Sequence, residues 1–151
     1  MCNDGASRLR HVGGMQKKVL VIEDDLELVE LLRFNLKRAG FSVGTANDGI
    51  SGLKKARSVL PDLVLLDFML PELDGIAVCE TLRRDPVTAS IPIIMLTAVS
   101  GQLARFSAFD AGADEFITNP FGISQLLNRL RALMLRPASS PGNPLAGPTP
   151  A

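Results

Sequence analysis

The chain has 151 residues, the size of one ordinary domain that can bury around two thirds of its unfolded surface. Its 16 Lys and Arg balance 16 Asp and Glu, so nothing in the charge favours nucleic acid or an acidic membrane surface as the main partner. Cys2 and Cys79, with His11 as the one histidine, make neither a disulfide framework nor a zinc site. No apolar run approaches the roughly 18 residues needed to span a membrane, and MCNDGASRLRHVGG lacks a signal-peptide core; the expectation is a cytoplasmic protein.

Residues 1–16 read as a flexible N-terminal extension, and residues 137–151, PASSPGNPLAGPTPA, as a Pro/Gly/Ser-rich tail too poor in apolar side chains to order itself. One domain is expected between them, over 17–136. Its first apolar run is VLVI, Val19–Ile22, followed by a helix from about Asp25 to Ala39 with Val29, Leu32 and Leu36 on one face and Gly40 as the stop. Phe41–Ala46 is a second strand, and a second helix starts at Asp48. Leu63–Leu66 is a third strand. Asp74, a good N-cap, starts a third helix that aligns Ile76, Cys79 and Leu82. Ile91–Leu96 and Glu115–Thr118 are the fourth and fifth strands, on either side of a fourth helix that carries Leu103, Phe106 and Phe109. The last helix has a continuous stripe of Ile123, Leu126, Leu127, Leu130, Leu133 and Met134. Strands apolar on both faces that alternate with helices predict an α/β fold with a doubly wound parallel sheet, for which 2-1-3-4-5 is the common order of five strands.

In such a sheet ligands bind beyond the carboxyl ends of the strands, so the residues that follow each strand carry the information. Glu23, Asp24 and Asp25 follow the first, Asp67 the third, Thr97 and Ala98 the fourth, Asn119 and Pro120 the fifth. Asp25 is explained as a helix cap. Asp67 is not, because Phe68, Met69, Leu70 and Pro71 follow it where a cap would need a helix. With the first and third strands adjacent, Glu23, Asp24 and Asp67 converge, and three carboxylates that close together require protons or a cation. An all-oxygen site open to water suits Mg²⁺, and a carboxylate beside it is a plausible phosphoryl acceptor. Thr97 would offer a hydroxyl to a phosphoryl oxygen.

VLVIEDD, PDLVLLDFMLPELDG, IPIIMLTA and GADEFITNPF, in that order, resemble the receiver domain of two-component response regulators. The resemblance covers about Lys17 to Arg136. It implies a flavodoxin-like sheet of order 2-1-3-4-5, and a phosphoryl group transferred to Asp67 from a histidine kinase or phosphotransfer protein. It also implies Mg²⁺ held by Glu23, Asp24, Asp67 and the backbone carbonyl of Met69, with Thr97 as the switch hydroxyl and Phe116 as the aromatic switch. The sequence departs from the family pattern at Asn119, where that pattern has a lysine between Thr and Pro. Asn119 is expected to face the acidic pocket from a turn that could contain a cis-proline; as a plain turn residue it would only support that turn.

The leading expectation is therefore a phosphoacceptor switch with no direct contact with nucleic acid or membrane. An output protein would dock on the surface formed by the fourth helix, fifth strand and fifth helix, and the chain would be a monomer or weak dimer. The alternative is a degenerate receiver that acts as an interaction module independent of phosphorylation. An aspartate-nucleophile phosphatase needs a second acid where Met69 stands, a flavodoxin needs a phosphate loop where the first acids stand, and a dinucleotide fold needs GxGxxG there. Slow self-dephosphorylation is the only turnover expected.

Overall fold

The structure is a computed structural model that describes residues 16–98 and 100–135. The expected tail, and the N-terminal extension apart from Gln16, lie outside the described residues, as do Cys2 and His11. Five strands alternate with five helices: β1 (Lys18–Ile22), α1 (Leu26–Arg38), β2 (Ser42–Ala46), α2 (Gly49–Val59), β3 (Leu63–Leu66), α3 (Gly75–Arg84), β4 (Ile93–Thr97), α4 (Gln102–Asp110), β5 (Glu115–Thr118) and α5 (Ile123–Met134). All strand pairs are parallel and the order is β2-β1-β3-β4-β5, as the sequence predicts.

The three inner strands are buried almost throughout because helices cover both faces of the sheet. Leu20, Ile22, Leu66, Val78, Leu82 and Met95 belong to one apolar layer, and Val21, Leu32, Leu36, Leu65, Leu126 and Leu130 to the other. The edge strand β2 is only half-buried before Ala46, so FSVGTA is apolar in composition but not covered on both sides. Helix starts follow their caps: Asp25, Asp48 and Asp74 each accept backbone N–H groups at the head of the next helix. Gly40, past the end of α1, takes φ 100, the left-handed turn that stops a helix.

The fourth helix departs from the sequence reading. Its spacing makes Leu103, Phe106 and Phe109 the apolar face, yet Leu103 is 75% and Phe106 68% exposed. Ala104, Ala108 and Ala111 pack inward instead. A small face lets the helix lie close to its neighbours and leaves no depth for leucine or phenylalanine beneath it.

Candidate functional site

Parallel strands end together, and the reversal of strand order between β1 and β3 opens a crevice there. Ile22 pairs with Leu66 in register, which brings the next residues, Glu23 and Asp67, side by side; the Asp67 N–H donates to the Ile22 carbonyl at 3.1 Å. Ligand atoms of Glu23, Asp24 and Asp67 all lie within 4.8 Å of one another. Glu23 is buried, Asp67 half-buried and Asp24 exposed. Asp25, one residue on, accepts from Glu27 and Leu28 N–H and caps α1, so it stays out of the cluster, as expected.

Backbone donors aim two of the carboxylates. The Asp25 N–H donates to Glu23 Oε2 at 3.0 Å, and the Met69 N–H to Asp67 Oδ1 at 3.1 Å. Burial nonetheless dominates the proton balance. Loss of water pushes the Glu23 carboxyl up to about 8, with the Asp25 N–H opposing and Asp67 and Asp24 adding to the rise. Asp67 is raised as well, again mainly by burial, while N–H groups of Met69 and Phe68 and a hydrogen bond from Glu23 pull it back. Both carboxyls are thus pushed toward their neutral forms by burial and by the charge of neighbouring carboxylates. Three carboxylates with ligand atoms within 4.8 Å of one another are the arrangement that a hard divalent cation relieves, so these residues fit Mg²⁺.

Thr97 ends β4 and is buried. Its register partner is Thr118 at the end of β5, and its carbonyl accepts the Asn119 N–H at 2.7 Å. Asn119 lies in the turn after β5, joined to Pro120 by a cis peptide bond. It is exposed, and no side-chain hydrogen bond holds it among the described residues. Phe116 is buried at 5% exposure and pairs with Met95. Its ring meets Phe68, the residue after Asp67, edge to face at 6.4 Å, and the Arg105 guanidinium lies 5.9 Å from its centroid and 5.3 Å from that of Phe109. Nothing in the sequence singles out Phe68 or Arg105; their spacing to Phe116 has no local pattern, and only the fold brings the three together.

Known proteins share this chain's sequence pattern and fold. The family model described as response regulator receiver domain matches residues 19–131. The DNA-binding dual master transcriptional regulator RpaA of Synechocystis is 45% identical over 119 residues, covering 79% of this chain and 49% of that protein. The alkaline phosphatase synthesis transcriptional regulatory protein PhoP of Bacillus subtilis is 43% identical over 122 residues, 81% of this chain and 50% of its own. The chain thus spans about half the length of these curated relatives. Among solved structures, a two-component response regulator from Clostridium difficile superposes with TM-score 0.76 at 26% identity, over 80% of this chain and 98% of that one. The receiver domain of a sensor histidine kinase from Pseudomonas aeruginosa, which has a magnesium ion coordinated in its active-site cleft, superposes with TM-score 0.74 at 28% identity, over 79% and 98%. On the fold, the convergent acids and these matches together, the chain belongs to the response regulator receiver domain family.

Proposed function

We propose that Asp67 accepts a phosphoryl group from the phosphohistidine of a histidine kinase or phosphotransfer protein, and that the domain signals through a docked partner. The observation that carries this reading is the placement of Asp67 at the strand-order reversal, with Glu23 and Asp24 within 4.8 Å and one oxygen held by Met69 N–H. In the transfer, a carboxylate oxygen of Asp67 forms the new bond to phosphorus while the phosphorus–nitrogen bond of the donor breaks. The imidazole leaves with that electron pair, and the product is an acyl phosphate. Glu23, Asp24, Asp67 and the Met69 carbonyl would hold Mg²⁺, which when bound supplies positive charge to the phosphoryl oxygens. The Met69 N–H keeps the carboxylate aimed, and Thr97 gives a hydroxyl to the new phosphoryl group. Phe116 and Asn119 sit where the change would pass to α4 and α5.

Response regulators are signalling switches, and slow self-dephosphorylation is the turnover we assign here. The output surface is the α4–β5–α5 side, and the chain is a monomer or weak dimer. Among the described residues no helix is long and apolar enough to cross a membrane, in line with a cytoplasmic assignment. Several relatives are named as DNA-binding; for this chain, whose charge balances, we assign no direct contact with nucleic acid. We assign the receiver unit to about 17–136, around the matched residues 19–131.

Acetyl phosphate with Mg²⁺, followed by intact mass measurement, tests the reading. One phosphoryl group is expected, labile at alkaline pH, and absent from Asp67→Ala. A label that persists on Asp67→Ala would assign the acceptor elsewhere, and a natural protein that never labels would leave the degenerate, phosphorylation-independent module.

A further inference from the structure

The loop that carries Asp67 from β3 to α3 is closed by contacts that leave its backbone no slack. Gly75 N–H donates to the Phe68 carbonyl at 3.0 Å, and Leu73 N–H to the Pro71 carbonyl at 2.7 Å. Between them Glu72 takes φ 65, a left-handed conformation that a side chain disfavours. A Cβ on Gly75 would sit well inside 3.0 Å of the Asp67 carbonyl oxygen and 2.8 Å from Phe68 Cα, closer than real Cβ atoms come. A Cβ on Gly49, the first residue of α2, would likewise lie 2.6 Å from the Leu73 carbonyl oxygen and 2.9 Å from Val78 Cγ2. Most of these neighbours are backbone atoms, which cannot swing aside as the end of a side chain can.

We propose that Gly75 is a positioning residue for Asp67, with Gly49 as the backstop of the same loop. This role presupposes Asp67 as the phosphoryl acceptor. The first residue of α3 packs directly on the backbone of Asp67 and Phe68, and this is the stretch whose Met69 N–H aims the carboxylate. The direction of the carboxylate is thereby set by how closely two helix starts approach the loop. A methyl group at 75 forces the loop back by roughly 1 Å, a displacement of a reacting group that can cost about a hundredfold in rate.

The test compares Gly75→Ala and Gly49→Ala with Gly112→Ala, each at a temperature where circular dichroism shows the variant folded. Gly112 has φ 112 and lies against Arg83, before β5 and thus at the opposite end of the strands, so its substitution destabilises without touching the Asp67 loop. Labelling by acetyl phosphate with Mg²⁺ should slow by about 10- to 100-fold in Gly75→Ala, less in Gly49→Ala, and not at all in Gly112→Ala. In the metal-free protein the Met69 amide resonance should move in Gly75→Ala and stay in place in Gly112→Ala, which a loss of stability alone would not produce. A folded Gly75→Ala protein with natural labelling and an unmoved Met69 resonance overturns the proposal. Should Gly75→Ala not fold, Gly49→Ala decides by the same two readouts. Failure of the natural protein to label would instead sink the acceptor reading, whatever the variants do.

Discussion

The Glu23 carboxyl is pushed up because it is 5% exposed just past the end of β1, with Asp67 against it. A carboxyl that titrates near 4.5 unfolded and near 8 folded binds more protons in the native state across that interval. Its contribution to stability is complete below about 4.5 and lost as pH rises toward about 8. The melting temperature of the metal-free protein should therefore fall over this range, and Glu23→Gln should remove most of the slope. Equal slopes in the two proteins would place the proton elsewhere. Mg²⁺ acts against the same loss: it favours the ionised cluster, so it should raise the melting temperature, more at pH 8 than at pH 5, by mass-action linkage. Asp24→Ala should abolish the Mg²⁺-induced rise, and Asp67→Asn should raise the metal-free melting temperature by relieving repulsion. A rise in Asp24→Ala equal to that of the natural protein would move the metal to another place.

Between elements, the same residue types carry very different weights, as α4 and α5 show. Leu130 of α5 is fully buried in the layer with Leu65 and Ile94, so Leu130→Ala should cost about 2–5 kcal/mol. Phe106 of α4 is 68% exposed, and Phe106→Ala should change stability by less than about 0.5 kcal/mol; urea unfolding of both variants decides. Arg83 of α3 makes a third comparison. It donates to the carbonyls of Gly112, Ala89 and Ile91 and to Asp114 Oδ2 at 2.8 Å, and that oxygen also accepts the Ile93 N–H. Arg83→Met keeps the stem and removes the donors, at an expected cost of about 1–3 kcal/mol. The sequence shows the α5 stripe because leucines at helical spacing over a long helix have one place to go. It misdirects at α4, where the inward face is alanine and the large side chains face outward. Hydropathy marks which residues are apolar, not which face the neighbours leave room for. The convergence of Glu23, Asp24 and Asp67 was legible because parallel strands end together; the packing of Phe68, Phe116 and Arg105 was not, since nothing local in the chain encodes it.

For the molecule as a whole, the question is how far a charge placed on Asp67 is felt at α4. A phosphoryl group carries close to two negative charges, beside Glu23 and Asp24 that one divalent cation cannot fully balance. No ion pair among the described residues reaches these acids; five arginines pair instead with Glu30, Asp85, Asp114, Glu80 and Glu115. Asn119, whose backbone N–H donates to the Thr97 carbonyl, can offer a neutral side-chain hydrogen bond worth about 0.5–1.5 kcal/mol, where a charged donor would give about 1.5–3. The contacts that would carry the change are in place: Phe68 against Phe116, and Arg105 over both Phe116 and Phe109. With an amide in place of a charged donor at 119, phosphorylation should shift the ensemble of α4 and β5 only partway. Asn119→Lys should enlarge the shift, and in the metal-free protein its ammonium should pair with Asp67 and raise the melting temperature. The measurement is the amide chemical-shift change over α4 and β5 with and without beryllofluoride, in the natural protein and in Asn119→Lys. A natural protein that already shows a complete two-state shift, which lysine does not enlarge, would mean that the missing charge is immaterial and that Asn119 serves the turn alone.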